Sequence, residues 1–454
     1  MRFSTRRRGR VALAVVAVAT VAAGLLTGCS SGGSKDSGGE VTVSFWHGLA
    51  GTNQEVLQKL VNQFNTAHKG KIKVNLIAKG DYDDTITAYK AAITAKKTPS
   101  LVQIYDIGTR FMIDSKQTAQ MQTFIDKDKF NVSDIQPNIA GYYSIDNKLD
   151  SMPFNTSVPL LYINADAFKK AGLDPSKPPT TIDEIMADAK KLTVKDANGN
   201  VKQYGFGAAI YGWFMEQWTA TANKEYCDSG NGRDDRAKEM SYDTDTQTKV
   251  LTWWKSMLDQ KLALNTGRKT ADADNAFTSG RIAMTLESTG SLGGFLSASK
   301  FTIGTGYYPK ADASDTGGPI IGGASLWIDK AGHSSKEQQA SWELIKYLSS
   351  NAVQAQWHTG TGYFPVSKAA LNDPTDKAWV AKRPQFETAI KQLEGTTLDK
   401  ATQGCLLGVM PKARQLMEDA IDASITGKKS AADALAFAKS QTKSQIDQYN
   451  SAVK

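Results

Sequence analysis

The chain has 454 residues, of which 41% are hydrophobic and 22% are charged. This length exceeds what one ordinary hydrophobic core takes up, so two lobes are the natural expectation. The composition is that of a globular domain, and with a mean hydropathy of -0.37 it does not fit a polytopic membrane protein. The formal net charge is +8. Whether this charge indicates a nucleic-acid partner depends on where in the chain the basic residues lie.

The first 28 residues form a segment of their own. Residues 1–10 carry five arginines and no acid, residues 11–26 are almost wholly apolar, and small residues close the run before Cys29. A basic start, an apolar core and a small-residue exit are typical of a secretory signal peptide; a short membrane anchor is the alternative. Cleavage lowers the net charge from +8 to +3, which removes the argument for a nucleic-acid partner.

The residues Leu-x-Gly-Cys at the end of this segment resemble the lipobox of bacterial lipoproteins. The resemblance implies cleavage before Cys29 and attachment of a diacylglyceryl group to its sulfur, which anchors the protein to the membrane. Residues 29–40 then form a flexible Gly/Ser-rich tether. Cys227 and Cys405 remain, and an oxidising compartment permits either a disulfide between them or two buried thiols.

In chain order, the first predicted elements alternate between strand and helix. Apolar residues alternate with polar ones over 41–45 and 72–76, and they follow one helical face over 56–64. This order predicts a right-handed βαβ unit in an α/β lobe. Thr52 and Glu55 have the spacing of a capping box, which predicts a helix that starts at Thr52.

Later segments give weaker but distinct patterns. Residues 152–161 contain two prolines and are predicted to be extended. Thr181 is predicted to cap a helix over residues 182–192. Trp253 and Trp254 fall at helical positions, which predicts that both pack in the core.

Motifs for catalysis and for metal binding are missing from the sequence. It contains no GxxxxGK[ST] and no HExxH, its one GxSxG match (GCSSG at 28–32) falls at the predicted cleavage site, and its four histidines lie far apart. Glycosidase chemistry needs only two carboxylates, so a hydrolase stays open. The pattern favours a binding protein that is not an enzyme and uses neither cofactor nor metal.

A set of short segments spans nearly the whole chain: FWH at 45–47, KGDY at 79–82, GYYS at 141–144, PFNTS at 153–157, FKKAGLDP at 168–175, IIGGASLW at 320–327, TGYFP at 361–365 and MPKAR at 410–414. In the same order, these segments resemble the glycerol-3-phosphate-binding members of the extracellular solute-binding proteins, the ABC-importer family that includes maltose-binding protein. The resemblance is specific because all of these segments occur together in the same order.

The resemblance implies a two-lobed, periplasmic-binding-protein-like α/β fold with discontinuous lobes that close on a ligand about a hinge. The expected N-terminal lobe comprises residues 41–155 and 290–330, and the expected C-terminal lobe comprises residues 156–289 and 331–454. The implied partners are a small-molecule ligand and the permease subunits of an ABC importer. The protein is expected to be an extracytoplasmic, membrane-anchored monomer.

The family's ligand-contacting positions fall on Tyr82, Asp106, Ser157, Ser288, Gly323, Tyr363 and Arg414. An arginine can grip two phosphate oxygens with one edge of its guanidinium, and hydroxyl groups supply neutral donors. The cargo implied is a phosphorylated glycerol compound. By itself, Arg414 would more simply be read as an ordinary ion-pair residue.

Three departures from the family pattern bear on the cargo. Asp106 replaces a glutamate, Ile182 replaces a tryptophan and so predicts a wider pocket, and Glu287 precedes Ser288. Glu287 would repel a dianion if it faces the pocket, but strand alternation could direct it away.

A wider pocket favours a phosphodiester such as glycerophosphocholine over the monoester glycerol 3-phosphate. Trp213, and less readily Trp218, could face its quaternary ammonium group. The alternatives are a carbohydrate-binding protein of an ABC sugar importer, a secreted phosphodiesterase and a purely structural lipoprotein.

Overall fold

The computed structural model of the protein describes residues 39–242 and 244–453. The strands are β1 (Val41–His47), β2 (Ile72–Ala78), β3 (Leu101–Tyr105), β4 (Ser144–Ile145), β5 (Lys148–Leu149), β6 (Met152–Ser157), β7 (Pro159–Asn164), β8 (Val194–Lys195), β9 (Val201–Gln203), β10 (Phe206–Ala208), β11 (Ala263–Asn265), β12 (Met284–Ser288), β13 (Ile303–Tyr307) and β14 (Gly322–Ile328).

The helices are α1 (Gly51–Ala67), α2 (Tyr82–Ala95), α3 (Thr109–Ser115), α4 (Met121–Asp128), α5 (Pro137–Tyr143), α6 (Ala165–Lys170), α7 (Ile182–Leu192), α8 (Gly212–Thr221), α9 (Asp228–Gly232), α10 (Asp245–Asp259), α11 (Thr270–Thr278), α12 (Leu292–Ala298), α13 (Ser335–Leu348), α14 (Asn351–Thr361), α15 (Pro374–Val380), α16 (Gln385–Glu394), α17 (Lys400–Gln403), α18 (Met410–Ile425) and α19 (Ala431–Ala452). Short 3-10 helices occupy Asp106–Gly108, Thr289–Ser291 and Lys368–Asn372.

The first sheet has five strands in the order β2-β1-β3-β14-β6. Strand β1 runs parallel to β2 and β3, whereas β14 runs antiparallel to both β3 and β6. Helix α1 connects β1 to the parallel β2, so the predicted βαβ succession is confirmed. A strand from the C-terminal half of the chain thus completes a sheet begun by the N-terminal half.

Helix α1 begins one residue before the predicted start. Its first residue is Gly51, and its N-cap Ala50 makes no side-chain hydrogen bond to the helix. The predicted capping box at Thr52 and Glu55 is therefore wrong, because Thr52 already lies in the first turn. The predicted apolar face is confirmed, and its buried residues are Leu57, Leu60, Val61 and Phe64.

The second sheet is antiparallel, in the order β12-β7-β13. Strand β13 pairs with β7 in this sheet, although residues 290–330 were predicted for the other lobe. Helix α13 packs against β1 and β14 of the first sheet, although residues from 331 onward were predicted for the C-terminal lobe. Strand pairing and helix packing therefore differ from the predicted boundaries at these two segments, and the lobe division as a whole stays a prediction.

Helices α7 and α10 follow their sequence patterns. The Thr181 hydroxyl accepts a hydrogen bond from the backbone N–H of Glu184, so the predicted N-cap is confirmed. Trp253 and Trp254 are buried, as predicted. Trp218 packs against both rings and donates its indole N–H to the Pro309 carbonyl at 2.9 Å, which places it in the core.

Cys227 and Cys405 form a disulfide, with their Cα atoms 5.8 Å apart. This answers the question that the sequence left open between a bond and two free thiols. Close by, the Arg233 guanidinium donates to the carbonyls of Gln403 and Gly404. The disulfide and these hydrogen bonds tie the loop after α8 to the segment that precedes α18.

The predicted signal peptide, Cys29 and nearly all of the tether lie outside the described residues. Within residues 39–242 and 244–453, no helix is long and apolar enough to cross a bilayer.

Candidate functional site

One cavity, of about 540 Å³, collects nearly all of the predicted site residues. They come from ends of elements: Tyr82 opens α2, Asp106 follows β3, and Ser157 ends β6. Loops and strand ends commonly carry binding residues, because a rigid scaffold holds them in place. The predicted residues that line the cavity are Tyr82, Asp106, Ser157, Trp213, Ser288, Gly323, Tyr363 and Arg414.

Ile182 is the predicted site residue that the structure places elsewhere. It is fully buried in the apolar core at the start of α7, and it is not among the residues that line the cavity. Because Thr181 caps the helix, the first residue of α7 turns into the core. The structure therefore does not support a role for Ile182 in widening this cavity.

Arg414, on α18, is paired with a carboxylate that the sequence reasoning missed. Its Nε and Nη2 atoms donate to the two carboxylate oxygens of Glu216 at 2.7 and 2.8 Å. Nη2 also lies 3.4 Å from Asp106 Oδ2, and Nη1 donates to the Tyr211 hydroxyl at 3.3 Å. The Nε–Nη2 edge of the guanidinium therefore binds Glu216, and Nη1 is the nitrogen that bonds to neither carboxylate.

The cluster around Arg414 carries no excess of positive charge, although Arg268 and Lys269 also line the cavity. Arg414, Glu216 and Asp106 are each about 4% exposed, so one buried cation faces two buried acids. Burial raises the pKa of Asp106 to about 6, against the lowering effect of the Arg414 charge. Burial likewise raises the pKa of Glu418, which lines the same cavity, to about 7.

The sequence did carry a signal for Glu216. All ten residues of α8 are buried, and Glu216 is the one acid among them. A carboxylate on a helix that is buried on every side needs a cation as its partner, because an unpaired buried charge is very costly.

The opposite side of the cavity is built from neutral groups. The Asn155 amide donates to the Tyr82 hydroxyl at 2.7 Å, and the Tyr82 and Tyr363 hydroxyls lie 3.2 Å apart. Behind them, the Gln103 amide donates to Asn155 Oδ1 at 2.7 Å. Gln103 and Asn155 were not predicted as site residues, since amides in a strand give no sequence signal of their own.

Glu287 lines the cavity together with Ser288, so strand alternation does not remove it from the site. Its Oε1 accepts from the backbone N–H of Ser288 at 2.7 Å, and its side chain faces that of Asp274. Glu287 Oε2 and Asp274 Oδ1 have no other donor among the described residues. Burial and the Asp274 charge raise the pKa of Glu287 well above its usual range, which lowers the expected repulsion of an anion.

Gly323 and Trp213 shape the cavity wall. A Cβ atom on Gly323, whose φ is +93°, would lie 1.8 Å from the Asn155 carbonyl oxygen, so this close approach of two backbones requires glycine. Trp213 is buried beside Tyr211, with ring centroids 6.0 Å apart. Its indole N–H has no acceptor within the described part of the chain.

Within residues 39–242 and 244–453, no group of three or more His, Cys, Asp and Glu side chains is placed so that it could hold a metal ion. Burial lowers the pKa of His47 to about 4, and its Nδ1 accepts from the Leu49 N–H. His358 pairs with buried Asp376 at 2.6 Å. These two histidines have structural partners away from the cavity.

Comparisons with known proteins agree with this architecture. The family model for the bacterial extracellular solute-binding proteins matches residues 59–388. The sn-glycerol-3-phosphate-binding periplasmic protein UgpB of Escherichia coli (strain K12) is 33% identical over 402 residues, which cover 87% of this chain and 90% of that protein.

Two solved structures show the same fold at low sequence identity. UgpB of Mycobacterium tuberculosis, in complex with glycerophosphocholine, has a TM-score of 0.75 at 19% identity, covering 90% of this chain and 99% of that one. The cyclic alpha-maltosyl-1,6-maltose binding protein of Arthrobacter globiformis has a TM-score of 0.71 at 19% identity, covering 90% and 100%.

Proposed function

Since the chain belongs to the family of bacterial extracellular solute-binding proteins, we propose that it captures a zwitterionic glycerophosphodiester, such as glycerophosphocholine, for an ABC importer. Glycerol 3-phosphate is the second candidate of the same class. The protein itself turns over no substrate in this proposal.

The pairing of Arg414 with two carboxylates is the observation that carries the diester. A guanidinium already matched by Glu216 and Asp106 has little charge left to balance a dianionic monoester. A diester carries one negative charge on the phosphate, and an ammonium group can offset it. Two unit charges at contact distance interact by about 4 kcal/mol at an effective dielectric constant of 20. The extra negative charge of the monoester therefore favours the diester as the tighter ligand.

The two ends of such a ligand have complementary walls. The hydroxyl groups of Tyr363, Ser157 and Ser288 line the cavity with the Arg414 guanidinium and suit phosphate oxygens. The ring of Trp213 suits a quaternary ammonium, with a cation–π attraction of about 0.5–2 kcal/mol. The names of relatives point the same way, since one binds sn-glycerol 3-phosphate and another was solved with glycerophosphocholine.

A carbohydrate is the competing cargo. Aromatic side chains beside carboxylates suit sugar rings, and one protein with the same fold binds a cyclic maltosyl-maltose. In that case the cation at Arg414 would hold the fold together without contributing to ligand charge recognition.

The remaining features of the proposal concern location and movement. We propose that the chain is anchored through a lipid on Cys29, acts as a monomer, and closes its two lobes on the ligand about a hinge before it meets the permease. The residues that line the cavity would then come from both lobes.

Calorimetric titration with glycerophosphocholine, glycerol 3-phosphate and maltose tests the cargo. The informative variant replaces both partners, Arg414→Met with Glu216→Leu, because removal of one charge alone would unbalance the core. We expect glycerophosphocholine to bind most tightly to the native protein, and the double variant to lose it.

Binding of maltose alone, equally in both proteins, would overturn the proposal in favour of a sugar. Release of choline during the titration would identify a phosphodiesterase instead.

A further inference from the structure

Two carboxyl groups lie between the ligand cavity and a second cavity beside it. Glu287, on β12, lines the ligand cavity, and Asp274, on α11, lines the second one, which has a volume of about 220 Å³. The two cavities adjoin, since they have some lining residues in common, namely Ala50, Asn53, Gly290 and Ser291. Because the side chains of Glu287 and Asp274 face each other, the pair lies at the border of the two cavities.

The fold holds this pair next to a position at which a ligand is expected to bind. Glu287 Oε1 accepts from the backbone N–H of Ser288 at 2.7 Å, and its side chain is 4% exposed. Helix α11 packs against β12, which keeps Asp274 beside it. Ser288 is one of the predicted ligand-contacting residues. Its N–H, which could donate to an anion, is therefore bound to a carboxyl group instead.

The pair carries one negative charge above neutral pH. Two carboxyl groups in contact inside a protein do not readily ionise together, so one of them keeps its proton. Asp274 is partly exposed, whereas Glu287 is buried, so the charge belongs on Asp274 and the proton on Glu287. In agreement, burial raises the pKa of Asp274 to about 7, and burial and the Asp274 charge raise the pKa of Glu287 well above its usual range.

No cation offsets this charge within the described part of the chain. Neither carboxyl group has a lysine, arginine or histidine near enough to shift its pKa. The tyrosines that face Glu287, Tyr162 and Tyr363, stay neutral because burial raises their pKa values.

The lining of the ligand cavity has no surplus of cations either. Acids outnumber bases there by five to three, the acids being Asp81, Asp83, Asp106, Glu287 and Glu418 and the bases Arg268, Lys269 and Arg414. A Coulomb energy is proportional to the charge of the ligand. At the same distance, the pair therefore disfavours a dianion twice as strongly as a monoanion.

We infer that Glu287 and Asp274 form a charge filter in the cavity wall, which admits a monoanionic phosphodiester and disfavours a dianionic phosphomonoester. The two residues are thus specificity determinants of the site. This inference deepens the proposed function and rests on it for the phosphate in the ligand. The position of the pair does not depend on the identity of the cargo.

Replacing both acids by their amides tests the charge filter, because Glu287→Gln with Asp274→Asn removes the charge and keeps both shapes. At pH 8, we expect glycerol 3-phosphate to bind about tenfold more tightly to this double variant than to the native protein, and the affinity for glycerophosphocholine to change by less than about threefold. Calorimetric titration with both ligands measures the two ratios. A double variant that keeps the native affinity for glycerol 3-phosphate would overturn the inference.

The single variants separate charge from shape. Glu287→Gln leaves Asp274 ionised, and Asp274→Asn gives Glu287 an amide donor that favours its ionised form, so each single variant still carries one negative charge. We therefore expect both to keep the native preference for the diester at pH 8. If either one gains as much affinity for glycerol 3-phosphate as the double variant does, packing and not charge causes the effect, and the inference is wrong.

Two further variants test whether the loss of any acid has the same effect. Asp272→Asn removes an exposed acid from the same helix and should leave both affinities unchanged. Glu418→Gln removes another acid that lines the cavity. If Glu418→Gln raises the affinity for glycerol 3-phosphate as much as the double variant does, the preference belongs to the cavity as a whole and the inference fails.

Carbon-13 NMR of the carboxyl groups measures the charge of the pair without any ligand. We expect one carboxyl group to be ionised and the other protonated at pH 8, and a fully protonated pair would overturn the inference. If no compound of the panel binds the native protein, the proposed function fails. Binding of glycerol 3-phosphate by the double variant alone would still support the charge filter, and no binding there either would overturn it.

Discussion

The two sides of the cavity obtain their polarity in different ways. The amides and hydroxyls that bond to one another at Tyr82 and Tyr363 are neutral, and a backbone N–H sets the orientation of the two amides behind them. Around Arg414 the groups are ionic, and Glu216 and Asp106 offset the cation. The neutral side can select an acceptor without changing the net charge, whereas the ionic side sets that charge. A cavity built in this way suits a ligand that is polar at both ends and nearly neutral overall.

The largest effect is expected from breaking the ionic side. Arg414→Met leaves Glu216 and Asp106 buried without their cation, so we expect the free energy of unfolding to fall by about 3–5 kcal/mol. Adding Glu216→Leu should restore most of it. Urea denaturation of the single and double variants measures both values. A single variant as stable as the native protein would show that the ion pair does not hold this side together.

On the neutral side of the cavity, we expect a substitution at Gly323 to destabilise the protein. Gly323→Ala would set a Cβ atom against the Asn155 carbonyl, in a backbone conformation that alanine also disfavours. Gly332 has a similar φ of +82°, with nothing within 4 Å of an added Cβ, and so provides the control. We expect a loss of about 1–2 kcal/mol for Gly332→Ala and a clearly larger loss for Gly323→Ala in thermal or urea unfolding. Equal losses would mean that strain alone matters.

A third arrangement is the carboxyl pair of Glu287, which lines the cavity, and Asp274. Burial raises the pKa of Asp274 to about 7, and burial followed by the Asp274 charge raises the pKa of Glu287 well above its usual range. The folded state therefore binds more protons than the unfolded state above pH 4, and stability falls as the pH rises toward 7. The other titratable groups near Glu287, Tyr162 and Tyr363, have pKa values raised above that of an ordinary tyrosine and stay neutral.

Asp274→Asn should make that fall in unfolding free energy smaller by about 2 kcal/mol between pH 4 and pH 8. Asp272 lies on the same helix but is exposed, so Asp272→Asn should leave the pH profile unchanged. Urea unfolding across this range compares the two variants. Parallel profiles for both would show that the carboxyl pair holds no extra proton.

The smallest effect concerns the aromatic wall. Trp213→Leu should weaken glycerophosphocholine about threefold to thirtyfold, as expected for a lost cation–π contact, and change glycerol 3-phosphate little. Calorimetry with both ligands measures the difference. Trp327, which is buried away from the cavity, gives the matched tryptophan control. Equal weakening of both ligands would place the ammonium group elsewhere.

Features that depend on neighbouring residues were predictable from the sequence. The apolar face of α1, the alternating strands β1 and β2, and the cap at Thr181 are local patterns, and the structure reproduces them. The start of α1 was not predictable in this way, because the helix already begins at Gly51 with Ala50 as its N-cap, so that Thr52 lies inside the first turn.

The site was predictable as a set of positions but not as a set of pairings. The resemblance brought seven lining residues together, yet it assigned Arg414 to a ligand, although Glu216 already binds its guanidinium. It also assigned Ile182 to the cavity wall, whereas Ile182 lies in the apolar core. Which side chain meets which depends on packing between distant segments, and one sequence does not specify those distances.

Strand β14 has a consequence for the order in which the protein can fold. It sits between β3 and β6, so β3 has β1 as its one neighbour in this sheet, and β6 has none, until residues 322–328 have been made. An N-terminal half that emerges alone has two open strand edges and no completed first sheet. We expect such a chain to fold late in synthesis, because long-range pairing must wait for both partners. A delay of this kind would suit a chain that is exported before it folds.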